Sequence, residues 1–197
     1  KVEFIGGCYN LMPNRALSSL VVTNMRDIGV PEYTAEEMAF ARRIAETVPP
    51  EQKRDSLRKS ELPNWEQYMD VNLVQTVIEP WDEGKVMGGS TDVADVSWKT
   101  PTIEFSTATF VLGAPGHSWH ATACSGMSIG HKSLIFAAKT IAGATLDLLT
   151  KPELLEKARS EFTERIKGRL YRSPIPDELP PPLEVARAAA EAASRKR

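Results

Sequence analysis

The chain has 197 residues, 42% of them hydrophobic and 25% charged, with a formal net charge of -2. That balance fits a globular protein with a sizeable core and excludes the basic footprint of a nucleic-acid binder. The one compact basic cluster, Arg195-Lys196-Arg197, reads as a solvated helix end, no apolar run approaches the roughly 20 residues a membrane span needs, and no signal peptide opens the chain, so a cytoplasmic protein is expected.

Val2-Glu3-Phe4-Ile5 alternates as a strand does, and the chain enters it so abruptly that it reads as the middle of a longer polypeptide. After Pro13-Asn14, apolar Leu17, Leu20, Val21, Met25 and Ile28 recur every three or four residues, predicting an amphipathic helix ended by Gly29 and Pro31. Thr34-Ala35-Glu36-Glu37 has the spacing of a capping box, so a second helix is expected from about Ala35 to Val48, stopped by Pro49-Pro50. From Glu51 to Lys85 the sequence is charged and broken by Pro63 and Pro80; a surface loop with one short element is expected.

Residues 103–112, Ile-Glu-Phe-Ser-Thr-Ala-Thr-Phe-Val-Leu, are rich in β-branched and aromatic types and read as a buried strand. The stretch from Lys132 to Leu149 is apolar on nearly every face, as expected of a helix packed deep against a sheet. Thr150-Lys151-Pro152-Glu153 repeats the capping-box spacing and predicts a charged helix to about Gly168. A proline-rich connector, Arg172 to Pro182, leads to an Ala-rich helical tail packed through a stripe such as Leu183, Val185 and Ala189.

Cys8 and Cys124 are expected to be free thiols, since neither belongs to a Cys-x-x-Cys pair or a disulfide framework. His117 stands in the Gly/Pro-rich loop Gly113-Ala114-Pro115-Gly116-His117-Ser118-Trp119-His120 behind the expected strand, a placement suited to a metal ligand or general acid, although a lone loop histidine is more often a plain surface residue. His120 could share a metal with it only if the segment were helical, which the glycines and proline oppose, and His131 reads as structural. Gly88-Gly89-Ser90-Thr91 can offer N–H groups and hydroxyls to an anion, with Asp92 and Asp95 placed to cap a short helix or hold a histidine. The loop lacks the lysine and spacing of a phosphate-binding loop, and no Gly-x-Ser-x-Gly elbow exists.

These blocks in order, Gly88 to Trp98, Pro101-Thr102, Gly113 to Trp119 and Gly126 to Lys132, followed by Ala137-Ala138-Lys139, Asp147 to Thr150 and Pro174 to Asp177, resemble the zinc-dependent aminoacylase and carboxypeptidase family. Within it they are most similar to the C-terminal half of the aminobenzoyl-glutamate hydrolase branch. The resemblance implies an α/β fold: the second half of a mostly parallel-sheet metallopeptidase catalytic domain (13–182), preceded by the last strand of an inserted α+β lid domain (1–12) and followed by a helical tail (183–197). It implies hydrolysis of the amide bond of an N-acyl or N-aroyl amino acid by metal-activated water. Two divalent ions are implied, zinc first, with manganese or cobalt as alternatives.

The resemblance makes His117 a metal ligand, Ser90 and Thr91 substrate-binding, and Asp92 a supporting residue; the general base and the other ligands are expected in a missing N-terminal half, so no catalytic residue is assigned in this chain. A homodimer through the lid is implied, and a half-domain taken alone is expected to expose apolar surface. His120 stands where relatives carry glutamine and Ala94 where they carry glycine. Alternatives are a cytosolic dipeptidase of the same branch and a non-catalytic fragment or interaction module.

Overall fold

A computed structural model describes residues 4, 6–85, 89 and 91–195, with only the backbone of Val185 and Ala189. Its elements are α1 (Arg15–Ile28), α2 (Ala35–Ala45), α3 (Pro50–Lys59), a 3-10 turn (Trp65–Tyr68), α4 (Val93–Val96), α5 (Trp119–Ser125), α6 (Ser128–Thr150), α7 (Pro152–Ile166) and α8 (Leu183–Ser194). Among the described residues there is no strand, which overturns the expected mostly parallel-sheet α/β architecture. The expected first strand falls largely on residues outside the described set; Phe4, which is described, is irregular.

Residues 101–109 are irregular as well, and the physical reason is that a strand exists only by pairing. β-Branched composition favours extended backbone, but among the described residues no second strand pairs with it to complete a ladder. The segment lies instead on helices. Ile103 and Phe105 join the cluster formed by α1 and α6, while Thr107 and Thr109 meet Ser133 of α6 through their hydroxyls. At its end Val111 is fully buried, and the Leu112 N–H donates to the Asn72 carbonyl at 2.9 Å.

The helix starts follow local chemistry. Asn14 is 2% exposed; its Oδ1 accepts from the Leu17 N–H while its Nδ2 donates to the Ala158 carbonyl of α7, so one side chain caps α1 and ties it to a helix far along the chain. Caps of this kind stabilise by about 1 kcal/mol. Glu161 of α7 adds to the same helix start, accepting from the N–H groups of Arg15 and Ala16 at 2.9 Å each, where the helix dipole favours negative charge. The capping box at Thr34 and Glu37 forms as expected, but the spacing at Thr150 does not make one: the Thr150 hydroxyl donates back to Leu146, and Lys151 precedes α7 without a side-chain cap.

Pro50 does not merely end a helix; it begins α3, which the periodicity of the sequence does not announce. That helix buries Leu57 and the stem of Lys53, a pattern with too few apolar positions to register as periodic. The Lys53 ammonium donates to the Val71 carbonyl at 2.6 Å; burial pushes its pKa down, opposed by the charge of Asp70.

Two cores share α6. One joins Ala41, Ile44 and Val48 to Leu73, Val111, Ala114, Cys124 and Ile129; the other joins Leu20, Val21 and Met25 of α1 to Phe136 and Ala144. Close approach at each end of α6 depends on a missing side chain. Beside Gly130 the backbone of Ser125 leaves no room for a methyl group, and beside Gly143 stands the Asn24 amide, whose Nδ2 donates to Asp147 at 2.9 Å. α6 is also long and apolar enough, by length and composition, to cross a membrane, against the expectation that no run reaches that size, although 17% of its most apolar window is buried within the chain. The deep packing expected for it is therefore realised on one side only.

Glu37 also ties α2 to α6. Its carboxylate accepts from the Lys132 ammonium at 2.7 Å and from the Thr34 N–H at 2.7 Å, and those bonds, with one from Ser128, hold its pKa at about 2, below the ordinary 4.5. A folded-state pKa below the unfolded one contributes stability that is complete above the ordinary value and disappears as pH falls through the folded one. Glu37→Gln is therefore expected to lower the melting temperature at neutral pH, with the difference from the parent shrinking between about pH 4.5 and pH 2. A difference that stays constant through that window would show that the carboxylate's charge contributes nothing.

Candidate functional site

The loop carrying His117 is held at both ends. Upstream, Gly113 adopts φ +88 against Lys53, its carbonyl accepts from Gln52 Nε2 at 3.4 Å, and Ala114 is buried in the first core. Downstream, Ser118 is the N-cap of α5: its hydroxyl accepts from the Ala121 N–H at 3.4 Å and donates to the Pro115 carbonyl at 2.6 Å. His117 sits between these anchors, exposed, and forms no hydrogen bond among the described residues. The expected loop placement is thus observed, behind an extended segment rather than a strand.

His120 lies inside α5, stacked on Trp119 with ring centroids 4.1 Å apart. Its Nδ1 is 3.2 Å from the Ser118 oxygen, whose own proton is directed at Pro115, so that oxygen faces the ring as an acceptor. The ring's Nε2 is buried with no partner among the described residues. His131, expected to be a satisfied structural residue, is exposed on α6.

The second block is anchored elsewhere. Ser90 lies outside the described residues. Thr91 stands just before the short helix α4, its hydroxyl accepting from the Val93 N–H at 3.3 Å and its carbonyl from the Ala94 N–H at 3.3 Å. Asp92 is exposed and its carboxylate makes no cap bond. Asp95 is the carboxylate with structural work: it accepts from the Tyr9 N–H at 3.4 Å and from the Tyr171 hydroxyl at 3.1 Å. Desolvation, then the bond to Asp95, raises the Tyr171 pKa above its ordinary value.

Around Asp95, Tyr9 packs on Trp98 and Tyr171 at centroid distances of 5.4 and 5.8 Å, while Ser97 accepts from the Met12 N–H at 2.8 Å. Nothing in the sequence marks Asp95 over Asp92. No hydrogen bond or core cluster among the described residues joins the Thr91–Asp92 turn to the His117 loop.

Among the described residues no three His, Cys, Asp or Glu side chains come together as a metal would need. His117 has the exposure and freedom to supply one ligand, but the described residues do not hold a metal by themselves. Cys8 is exposed and Cys124 buried, both free as expected; burial pushes the Cys124 thiol up, which keeps it in the less reactive, protonated state. Two shallow concavities lie along α7, lined by charged residues such as Arg15, Glu161 and Arg165, and neither is lined by His117.

No family model matches the chain, and no solved structure matches it. Among curated proteins it matches a p-aminobenzoyl-glutamate hydrolase subunit of Escherichia coli (strain K12), 30% identical over 186 residues, which is 91% of this chain. The chain is similar to an aminobenzoyl-glutamate hydrolase subunit. It spans 39% of that relative's length. The similarity to the hydrolase subunit therefore takes in nearly all of this chain, including at least one of the two loop blocks, while more than half of the relative has no counterpart here.

Proposed function

We propose that this chain is part of a metal-dependent hydrolase that cleaves the amide bond of an N-acyl or N-aroyl amino acid of the aminobenzoyl-glutamate type. The similarity to the hydrolase subunit over 91% of the chain carries the reading. The presentation of His117 supports it: an exposed imidazole on a loop fixed at both ends is what a site assembled from two stretches of polypeptide requires. In this reading residues 13–182 form one part of the catalytic unit, and the general base and remaining metal ligands come from outside the chain.

The metal, zinc first and manganese or cobalt as alternatives, supplies polarisation of the amide carbonyl and a more acidic water when bound. The chain's own contributions are narrower. His117 offers a ring nitrogen, which must be unprotonated to serve as a ligand. Thr91, with Ser90 beside it, offers a hydroxyl to the carboxylate of an amino-acid substrate, and Asp92 supports that turn.

The product of the complete gene, incubated with p-aminobenzoyl-glutamate and a panel of N-acyl amino acids and dipeptides, is expected to release p-aminobenzoate and glutamate in preference to the dipeptide products. Removal of divalent ions by a chelator is expected to stop turnover and their return to restore it. A folded product that turns over nothing in the panel, with or without added metal, would sink the proposal.

A further inference from the structure

The outward side of α6 carries an apolar stripe from Leu134 to Leu149. Leu134, Ile135, Ile141, Leu146 and Leu149 are 67, 55, 56, 60 and 77% exposed. At about 100° per residue these five occupy an arc of roughly 140°, with Ala138 and Ala142 along its middle, and at ~1.5 Å per residue the stripe is about 22 Å long. No charged side chain falls inside the arc from Leu134 to Leu149; Lys139 stands just beyond its edge. The opposite side of the same helix is spent, with Ser133, Phe136, Thr140 and Ala144 buried against its neighbours.

A monomer rarely leaves a contiguous apolar stripe of this kind in water, so its occupant is the question. A bilayer does not suit it. α6 packs on α1 and α7, which carry the ion pairs of Arg15 and Arg165 with Glu83, and these cannot follow it into hydrocarbon. A helix lying flat on a membrane surface would be flanked by several free Lys and Arg, whereas here Lys139 stands beside the stripe and Lys132, farther round, is paired with Glu37. The small residues along the centre, with large aliphatics on both sides, instead form a shallow trough that fits packed polypeptide.

We propose that this face of α6 is covered by polypeptide corresponding to the part of the hydrolase relative that has no counterpart in this chain. The proposal deepens the functional reading above by naming the partner, and rests on the same similarity: more than half of the relative lies outside the match. A tethered segment is present at high effective concentration and covers the stripe without a second copy. Trp119 and Met127, 56 and 48% exposed, extend the apolar exposure along the chain from the start of α6 to the residues beside His117.

The test uses the complete gene product with Cys8→Ser and Ile141→Cys, the buried Cys124 left in place, and Arg187→Cys on exposed α8 as the reference site. Maleimide labelling under native conditions is expected to be at least about tenfold slower at position 141 than at position 187, and unchanged by dilution or by phosphatidylglycerol vesicles. Equal labelling overturns the proposal. So does protection that vanishes on dilution, which assigns the face to a second copy; protection seen only with vesicles, which assigns it to a membrane; or protection in a gene product that adds nothing to these residues. Leu149→Cys repeats the measurement should Ile141→Cys fail to fold. Because labelling is read separately from turnover, a protected but inactive product overturns the catalytic reading and leaves this one standing.

Discussion

His117→Ala is expected to cost the proposed hydrolase, assayed as the complete gene product, at least about a hundredfold in turnover, since removing even a group that supports a metal ligand costs ~10–100-fold. Bound metal is expected to fall with it. Between the metal-free proteins the melting temperature is expected to hold, because an exposed side chain without hydrogen bonds contributes within ~0.5 kcal/mol of nothing. That combination separates a ligand from a structural residue: loss of activity with loss of fold would not distinguish them, whereas His117 gives a clean readout. A variant retaining both its metal and its turnover would remove His117 from the site.

Gly113→Ala is expected to be the more damaging change to the fold. At φ +88 any L side chain is strained by about 1–2 kcal/mol. The added methyl would also lie 2.6, 2.8 and 2.9 Å from Cγ, Cβ and Cα of Lys53, and the last of these belongs to the backbone of α3 and cannot swing aside. Overpacking of this kind costs ~1–3 kcal/mol, so a total near 3 kcal/mol is expected. At ~2–4 °C per kcal/mol for a chain of this size, the melting temperature is expected to drop by roughly 6–12 °C. A shift below about 1 °C would mean that α3 and the loop part without cost, and that Lys53 does not fix the loop's upstream end.

What can be read from the residues is local. Thr34 three residues before Glu37 is a short-range hydrogen-bonding pattern, and that capping box stands where the spacing puts it, as does the helix that follows Pro13-Asn14. Residues 103–112 have the composition of a strand, but pairing is a property of two segments, and composition reports on one. α3 is hidden because its buried side is made by Leu57 and a lysine stem, and polar residues that turn inward leave no periodic trace.

The site divides in the same way. The position of His117 on a loop is legible from its glycines and proline. The N-cap role of Ser118 is available in the same residues, but those glycines and that proline argue against a helix beginning at Trp119 and so mask it. The work of Asp95 is not legible at all, since its partners Tyr9 and Tyr171 are distant in sequence.

Ser118 has a further consequence. Because its hydroxyl joins the carbonyl of Pro115 to the first turn of α5, the backbone on either side of His117 surrenders its conformational entropy when the chain folds rather than when a ligand arrives. Fixing a residue costs ~1–2 kcal/mol of such entropy. A ligand meeting this imidazole is therefore spared the ordering of several residues, and the affinity that an unrestrained loop would forfeit is retained for the bond itself.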